Sequence, residues 1–333
     1  MQKIKVGYIE RKFHQWVSIE KAFRQIAKAL PDGRFETTFE QLPHLNNASG
    51  TLKNLLFFRP GAKADIYHMT GQAHYIALVL PRKRTVLSIM DIRFLYMYRG
   101  LRRFVLKKLL LDLPVKRIDH ITAISEETKR EIVRYTGCDP EKIRVLDLPL
   151  FDEFEPGDDV PFNSAKPRIL QVGTTDNKNI PNLARALRGL DCRLVIIGRL
   201  DDGQMEALKE NEIDLENRFD LDDDELKEEY RKADLVIFCS TYEGFGLPII
   251  EAQSMRKPVV TSDLSPMAET AGGGAALADP HEVASIRNAI VKVINDPEYR
   301  AKIVRKGAEN VSRFEPRTVA AQYAELYEEI LRS

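Results

Sequence analysis

Hydrophobic residues along the chain fall into two patterns. Short, near-continuous runs of aliphatic and β-branched residues alternate with segments whose apolar positions recur three and four residues apart. The first pattern belongs to strands covered on both faces, the second to helices with one buried face. The early part predicts strands at residues 4–9, 65–68, 85–89, 120–124 and 143–146. Ser18 opens a predicted helix whose apolar positions include Phe23, Ile26, Ala27 and Leu30. Ser125 is placed to cap a helix over 126–135, whose acidic first turn suits the helix dipole.

Residues 152–167, DEFEPGDDVPFNSAKP, hold three prolines, five acids and a glycine, and read as a linker. The alternation then resumes. Strands are predicted at 168–173, 193–198, 235–240 and 258–262, and helices at 179–190, 224–233 and 248–256. Two α/β units follow, each a parallel sheet with helices on both faces and ligands expected at the carboxyl ends of its strands. A cleft is expected between the two.

Length agrees with this division, because 333 residues exceed one typical core. With 44% hydrophobic and 30% charged residues the composition is that of an ordinary globular protein. No apolar run approaches the ~20 residues of a membrane span, and the start, MQKIKVGYIERKFHQW, lacks the apolar centre of a signal peptide. Cys138, Cys192 and Cys239 are odd in number and far apart, which suits a reducing cytoplasm and no disulfide framework or metal knuckle. The zero net charge conceals an asymmetry. Residues 1–150 carry 27 Lys and Arg against 15 Asp and Glu, and the remainder carries 23 against 35. The first half is therefore expected to meet something anionic, unless the two halves simply attract each other.

The candidate chemistry lies in TYEGFGLPIIEAQSMRKPVVTSD, residues 241–263. A predicted strand runs into a loop at 241–247, and a helix opens at Pro248. Glycines admit backbone amides to a ligand, and a helix N-terminus favours an anion. Glu243 on the loop and Glu251, expected in the first helical turn, are carboxylates able to accept from hydroxyls. Two such carboxylates around a phosphate site describe a nucleotide sugar.

This stretch resembles the donor-site signature of the retaining glycosyltransferases of family four. That family has the GT-B fold, two Rossmann-like, doubly wound parallel-sheet domains facing a cleft. Residues 169–173 with Lys178 and Asn179, 194–198, 222–234, 121–125 with 142–145, and 314–330 also resemble family segments. The resemblance covers most of 65–331 and is most specific over 168–263. It implies an acceptor domain at 1–154, a donor domain at 155–315 and a final helix at 316–333 that returns to the first domain. It also implies that Glu243 contacts the donor sugar and that Lys178 neutralises the diphosphate leaving group, with no metal and no cofactor. Gly173, Gly244, Phe245, Gly246 and Leu247 would hold donor hydroxyls and diphosphate, Glu251 the ribose, and Arg218, Phe219, Asp220 and Leu221 the base.

Two positions depart from the family. Thr174 stands where an arginine is common, with Arg199 a candidate replacement. Met90 stands where a histidine usually faces the sugar. His68 and His74 are candidate substitutes, although a lone histidine at a strand end is often structural. His68 and Asp91 are expected on the acceptor side. Asp222, Asp223 and Asp224 imitate a metal motif but directly precede a helix, where acids cap. Residues 98–119 read either as a basic amphipathic helix on a membrane surface or as a core-facing helix with a solvated basic face.

The expected function is a retaining glycosyltransferase acting by front-face displacement. Its partners would be a nucleotide-sugar donor and a glycan or lipid-linked acceptor, and its place the cytoplasm, with peripheral contact at the inner face of the membrane. A nucleotide-sugar epimerase, a phosphorylase or a non-catalytic nucleotide-sugar-binding subunit would share the architecture. Nucleic acid is not expected, because the basic half lacks interleaved exposed aromatics.

Overall fold

The structure, a computed structural model, describes residues 3–12, 18–151, 154 and 161–332. It divides into two compact units, Met1–Pro149 with Glu315–Ser333, and Leu150–Phe314.

The first unit holds a six-stranded sheet of β1 (Ile4–Glu10), β2 (Phe35–Gln41), β3 (Ile66–Met69), β4 (Thr85–Ile89), β5 (His120–Ala123) and β6 (Ile143–Val145) in the order β2-β1-β3-β4-β5-β6. The second holds β7 (Arg168–Val172), β8 (Arg193–Ile197), β9 (Asp214–Arg218), β10 (Leu235–Phe238), β11 (Val259–Ser262) and β12 (Ala276–Ala278) in the order β12-β11-β10-β7-β8-β9. Every strand pair is parallel. All five residues of β4 and all four of β10 are buried, as the continuous apolar runs require. In the second sheet the order reverses between β7 and β10, and in the first between β1 and β3. Ligands of such sheets bind in the crevice at these reversals.

Leu150 and Phe151 are buried in the second unit, and so is Phe154, which the sequence placed in the linker. Phe154 meets the Tyr230 ring edge-on at 5.4 Å, and its carbonyl accepts from Ser254. The chain crosses between the units at two adjacent places, where Leu150 N donates to Phe314 O at 2.8 Å. Residues 152, 153 and 155–160 of the expected linker lie outside the described residues.

The final helix, Pro316–Arg332, lies in the first unit against the helix Ser18–Ala29. Its Tyr323 and Tyr327 are fully buried, and Tyr327 Oη lies 3.1 Å from Tyr8 Oη. Ser125 caps Glu126–Thr136 through Thr128 N at 3.1 Å.

The 98–119 segment is not core-facing along its first half. None of the residues of the helix Gly100–Lys107 is buried, and Leu101, Phe104 and Val105 are 77%, 58% and 43% exposed. A π-helical turn, Lys108–Asp112, and a short helix, Leu113–Arg117, follow and bury Leu111 and Val115. Among the described residues no helix is long and apolar enough to cross a membrane.

Candidate functional site

The site expected from residues 241–263 is built by the loops that follow β7 and β10, the two strands flanking the reversal in the second sheet. After β7 the chain passes Gly173, makes a 3-10 turn at Asp176–Lys178 and enters the helix Ile180–Leu187. Gly173 has φ +89°, and a β-carbon there would stand 2.7 Å from Lys178 Cε. The missing side chain makes room for the lysine stem.

Lys178 Nζ donates to Glu243 Oε1 at 2.8 Å and lies 4.1 Å from the centre of the Phe238 ring. Asn177 Nδ2 donates to the same carboxylate oxygen at 2.9 Å and to Tyr242 O at 2.8 Å. Thr241 N donates to Asn177 O at 2.8 Å, so the two loops are tied together by backbone as well as by charge. Lys178 and Glu243 side chains are 14% and 17% exposed. Lys178 precedes its helix and is held from two sides. Asn177 carried no signal in the sequence beyond adjacency to Lys178.

The helix after β10 is Leu247–Ser254, with Gly246 as its cap at φ +124°. Pro248 has no N–H and Ile249 N donates to Gly246 O at 2.9 Å, so the start of this helix favours an anion through its dipole more than through free amides. Phe245 is buried against Phe314 at 5.7 Å, and its carbonyl accepts from Thr270 Oγ1 at 3.1 Å. This anchor leaves Gly244 and Gly246 to carry backbone past the crevice.

Glu251 lies in the second turn rather than the first, because the helix begins one residue before Pro248. It is buried and accepts from Tyr230 Oη at 2.5 Å. Burial and the adjacent carboxylate hold the Tyr230 phenol well above its ordinary range, so it remains a donor.

The remaining expected donor residues occupy the edge near β8 and β9. Thr174 Oγ1 donates to Arg199 O at 2.7 Å, while Thr174 O accepts from Gln204 Nε2 at 2.6 Å. Arg199 pairs with Asp220 and stacks over Phe219 at 4.3 Å from the ring centre. Its guanidinium is thus directed to the Phe219–Asp220 loop in this structure, not to Thr174. Leu221 is half-buried and Phe219 exposed. Arg218 is committed to Glu229.

Asp222 acts as a helix cap. It accepts from Glu225 N at 2.8 Å, and Glu225 returns the bond to Asp222 N at 3.0 Å.

Comparison with known proteins follows this geometry. Residues 156–310 match the family described as Glycosyl transferases group 1. That match takes in just under half of the chain and supports a group 1 glycosyltransferase. It is 28% identical over 235 residues to the O-antigen chain mannosyltransferase RfbU of Salmonella typhimurium, a match covering 68% of this chain and 64% of that relative. The chain thus spans under two thirds of that relative's length. A glycosyltransferase from Rickettsia africae shares the fold at a TM-score of 0.76 and 18% identity, covering 100% of both chains. Anabaena Alr3699/HepE, solved with UDP and glucose, does so at 0.75 and 17%, covering 98% of this chain and 100% of that one.

The acceptor-side expectations need one correction. His68 is fully buried on β3. Its Nδ1 lies 2.6 Å from Tyr327 Oη and its Nε2 2.6 Å from Ser88 Oγ, and burial pushes its pKa down to about 3. No atom of its ring is left for an acceptor, so it is a structural histidine. Met90 is buried as well, its carbonyl accepting from Thr128 Oγ1 at 3.4 Å. Asp91 is half-buried beyond β4 and accepts from Arg93 N at 2.9 Å. It lines a cavity with His74, Arg11, Lys12 and Arg93. The sequence reading had not singled out Arg11, Lys12 or Arg93. Their available signal was position, directly beyond predicted strand ends.

Proposed function

We propose that this protein is a retaining transferase that moves a hexosyl group from a nucleoside diphosphate sugar to a hydroxyl of a glycan or lipid-linked acceptor, without a metal ion. The observation that carries the reading is the Lys178–Glu243 pair at the reversal between β7 and β10. It sets a cation and a carboxylate beside a helix N-terminus. A diphosphate needs the first and the third, and a sugar with free hydroxyls needs the second.

In this reading Glu243 accepts from donor-sugar hydroxyls, and Asn177 keeps it in place. Lys178 and the positive end of the dipole of the helix Leu247–Ser254 stabilise the charge that grows on the leaving diphosphate. Glu251, oriented by Tyr230, accepts from the ribose. Phe219 offers a face to the base. The acceptor oxygen bonds to the anomeric carbon on the face from which the phosphate oxygen departs. The electron pair of the broken C–O bond leaves with the diphosphate, and a diphosphate oxygen takes the acceptor's proton. Configuration at the anomeric carbon is kept without a protein nucleophile.

The exposed Leu101, Phe104 and Val105, beside Arg103 on the same helix, support peripheral contact with an anionic membrane face.

The test is chromatography of nucleotide released from a panel of UDP-, GDP-, ADP- and TDP-sugars, in the presence of chelator. One donor should be cleaved by the wild type and not by Glu243→Ala. Failure of the wild type to bind any of these donors would end the reading.

A further inference from the structure

The first sheet has its own reversal, between β1 and β3, and a cavity of about 840 Å³ lies at the carboxyl ends of its strands. Arg11 and Lys12 enter it from beyond β1, His74 from beyond β3, and Asp91 and Arg93 from beyond β4. Arg102 comes from the helix Gly100–Lys107. Four cations therefore share the lining with one carboxylate.

Most of that positive charge is not neutralised locally. Arg11 Nε is paired with Glu20 at 2.9 Å, but among the described residues Lys12 Nζ meets only the neutral carbonyl of Pro43, at 2.8 Å. Among the described residues, neither Arg93 nor Arg102 has a carboxylate partner, and Arg102 lies 3.9 Å over the Tyr98 ring. Arginine forks match phosphate oxygens better than any other cation.

His74 adds a second, different demand. It is 2% exposed, and its Nδ1 lies 2.7 Å from Leu110 O. A carbonyl only accepts, so Nδ1 holds the proton. Burial pushes the ring's pKa down to about 4, so at neutral pH Nε2 presents a bare lone pair. That nitrogen is buried and has no partner among the described residues. A lone pair repels phosphate oxygens and calls for a donor such as a hydroxyl. The cavity thus asks for a ligand with an anionic end and a hydroxyl end.

We infer that this cavity binds a hydroxylated phosphate ester, a sugar or polyol phosphate, with Arg93 and Arg102 on the phosphate and His74 Nε2 accepting from a ring hydroxyl. The transferase reading is needed only to name this ligand as the acceptor. Without its phosphate the ligand leaves the arginines unsatisfied, and without its hydroxyl it leaves a buried acceptor unpaired.

Titration calorimetry of the whole chain tests this with glucose 1-phosphate, glucose and inorganic phosphate. Glucose 1-phosphate should bind more tightly than either fragment. Arg93→Gln with Arg102→Gln should weaken it at least about tenfold. His74→Phe should weaken glucose 1-phosphate roughly tenfold and leave inorganic phosphate unchanged, with partial rescue in His74→Gln. Equal affinity for glucose would overturn the inference. So would binding that survives the double arginine variant but is lost in Lys178→Gln, which would put the phosphate in the other unit. Vesicles of phosphatidylcholine carrying phosphatidylinositol or, at equal charge, phosphatidylserine distinguish the sources. Arg93- and Arg102-dependent preference for phosphatidylinositol, without binding of the soluble ester, would assign the phosphate to a lipid headgroup. Binding of neither probe would refute the site. If donor cleavage fails while sugar phosphate still binds, the transferase reading falls and this site stands.

Discussion

The two sheets end in crevices of the same topological origin but opposite electrostatic condition. In the second unit the charges are matched before any ligand arrives. Lys178 rests on Glu243, and Glu251 accepts from Tyr230. In the first unit Arg93 and Arg102 lack carboxylates among the described residues, and one nitrogen of His74 is orphaned. A matched crevice is rigid before binding, and its ligand must trade one set of partners for another. An unmatched one stores its interactions for the ligand. The first arrangement suits groups that must hold station during bond breaking. The second suits selection.

The comparison breaks most readily at the matched pair. Lys178→Ala and Glu243→Ala should each lower donor cleavage by about 10²–10³-fold, the scale of one electrostatic contact to a transition state. The double variant should be little worse than either single one, because the two act as a unit. Fully additive losses, read from kcat/KM, would mean that the residues work separately.

Acid should separate the units by a smaller but measurable margin. His68 and His74, with pKa values pushed down to about 3 and about 4 by burial, stay neutral in the folded first unit. The unfolded chain protonates them near the ordinary histidine value of about 6.5. Their contribution is complete above that value and is lost as pH falls toward the folded values, each costing on the order of 1 kcal/mol per pH unit. The second unit contains only His281, which is exposed. Calorimetry from pH 7 to pH 5 should show the first unit's transition moving down and away from the second's. Parallel movement of both would contradict this account.

The smallest expected effects are at the helix caps. Ser125→Ala in the first unit and Asp222→Ala in the second should each cost about 1 kcal/mol in urea unfolding. Donor cleavage at full folding should be unchanged. A loss of cleavage in Asp222→Ala beyond its loss of stability would show the acid doing chemistry.

Central strands were legible in the sequence, and of the four edge strands only β6, a short apolar stretch at Ile143–Val145, was. β1, β3, β4, β5, β7, β8, β10 and β11 are short apolar runs. The unpredicted strands β2 and β9, FETTFEQ and DLENR, are mostly polar, and β12 is three residues long. β9 and β12 close the two edges of one sheet and β2 an edge of the other, where one side of the ladder faces outward and polar residues are tolerated. The site separates along the same line. Glu243 and Lys178 lie 65 positions apart, yet the sequence singled out both, because each sits in a glycine-marked loop with a familiar spacing, and the structure pairs them. Asn177 was missed because its role depends on a partner loop that spacing alone does not bring near. His68 was misplaced because a strand-end histidine looks the same whether its partner is a ligand or Tyr327, 259 positions away. The basic excess of the first half was visible as a count, but only the fold gathers Arg11, Lys12, Arg93 and Arg102 around one cavity.

Tyr327 has a consequence for how the molecule comes into being. During synthesis the second unit, Leu150–Phe314, is complete while the first still lacks its last helix. Until Pro316–Arg332 emerges, Tyr8 and His68 have no Tyr327 to meet. The half of the chain that is made first is therefore the half that finishes second, and a copy stopped short of its last nineteen residues, 315–333, would hold a finished second unit beside an open first one.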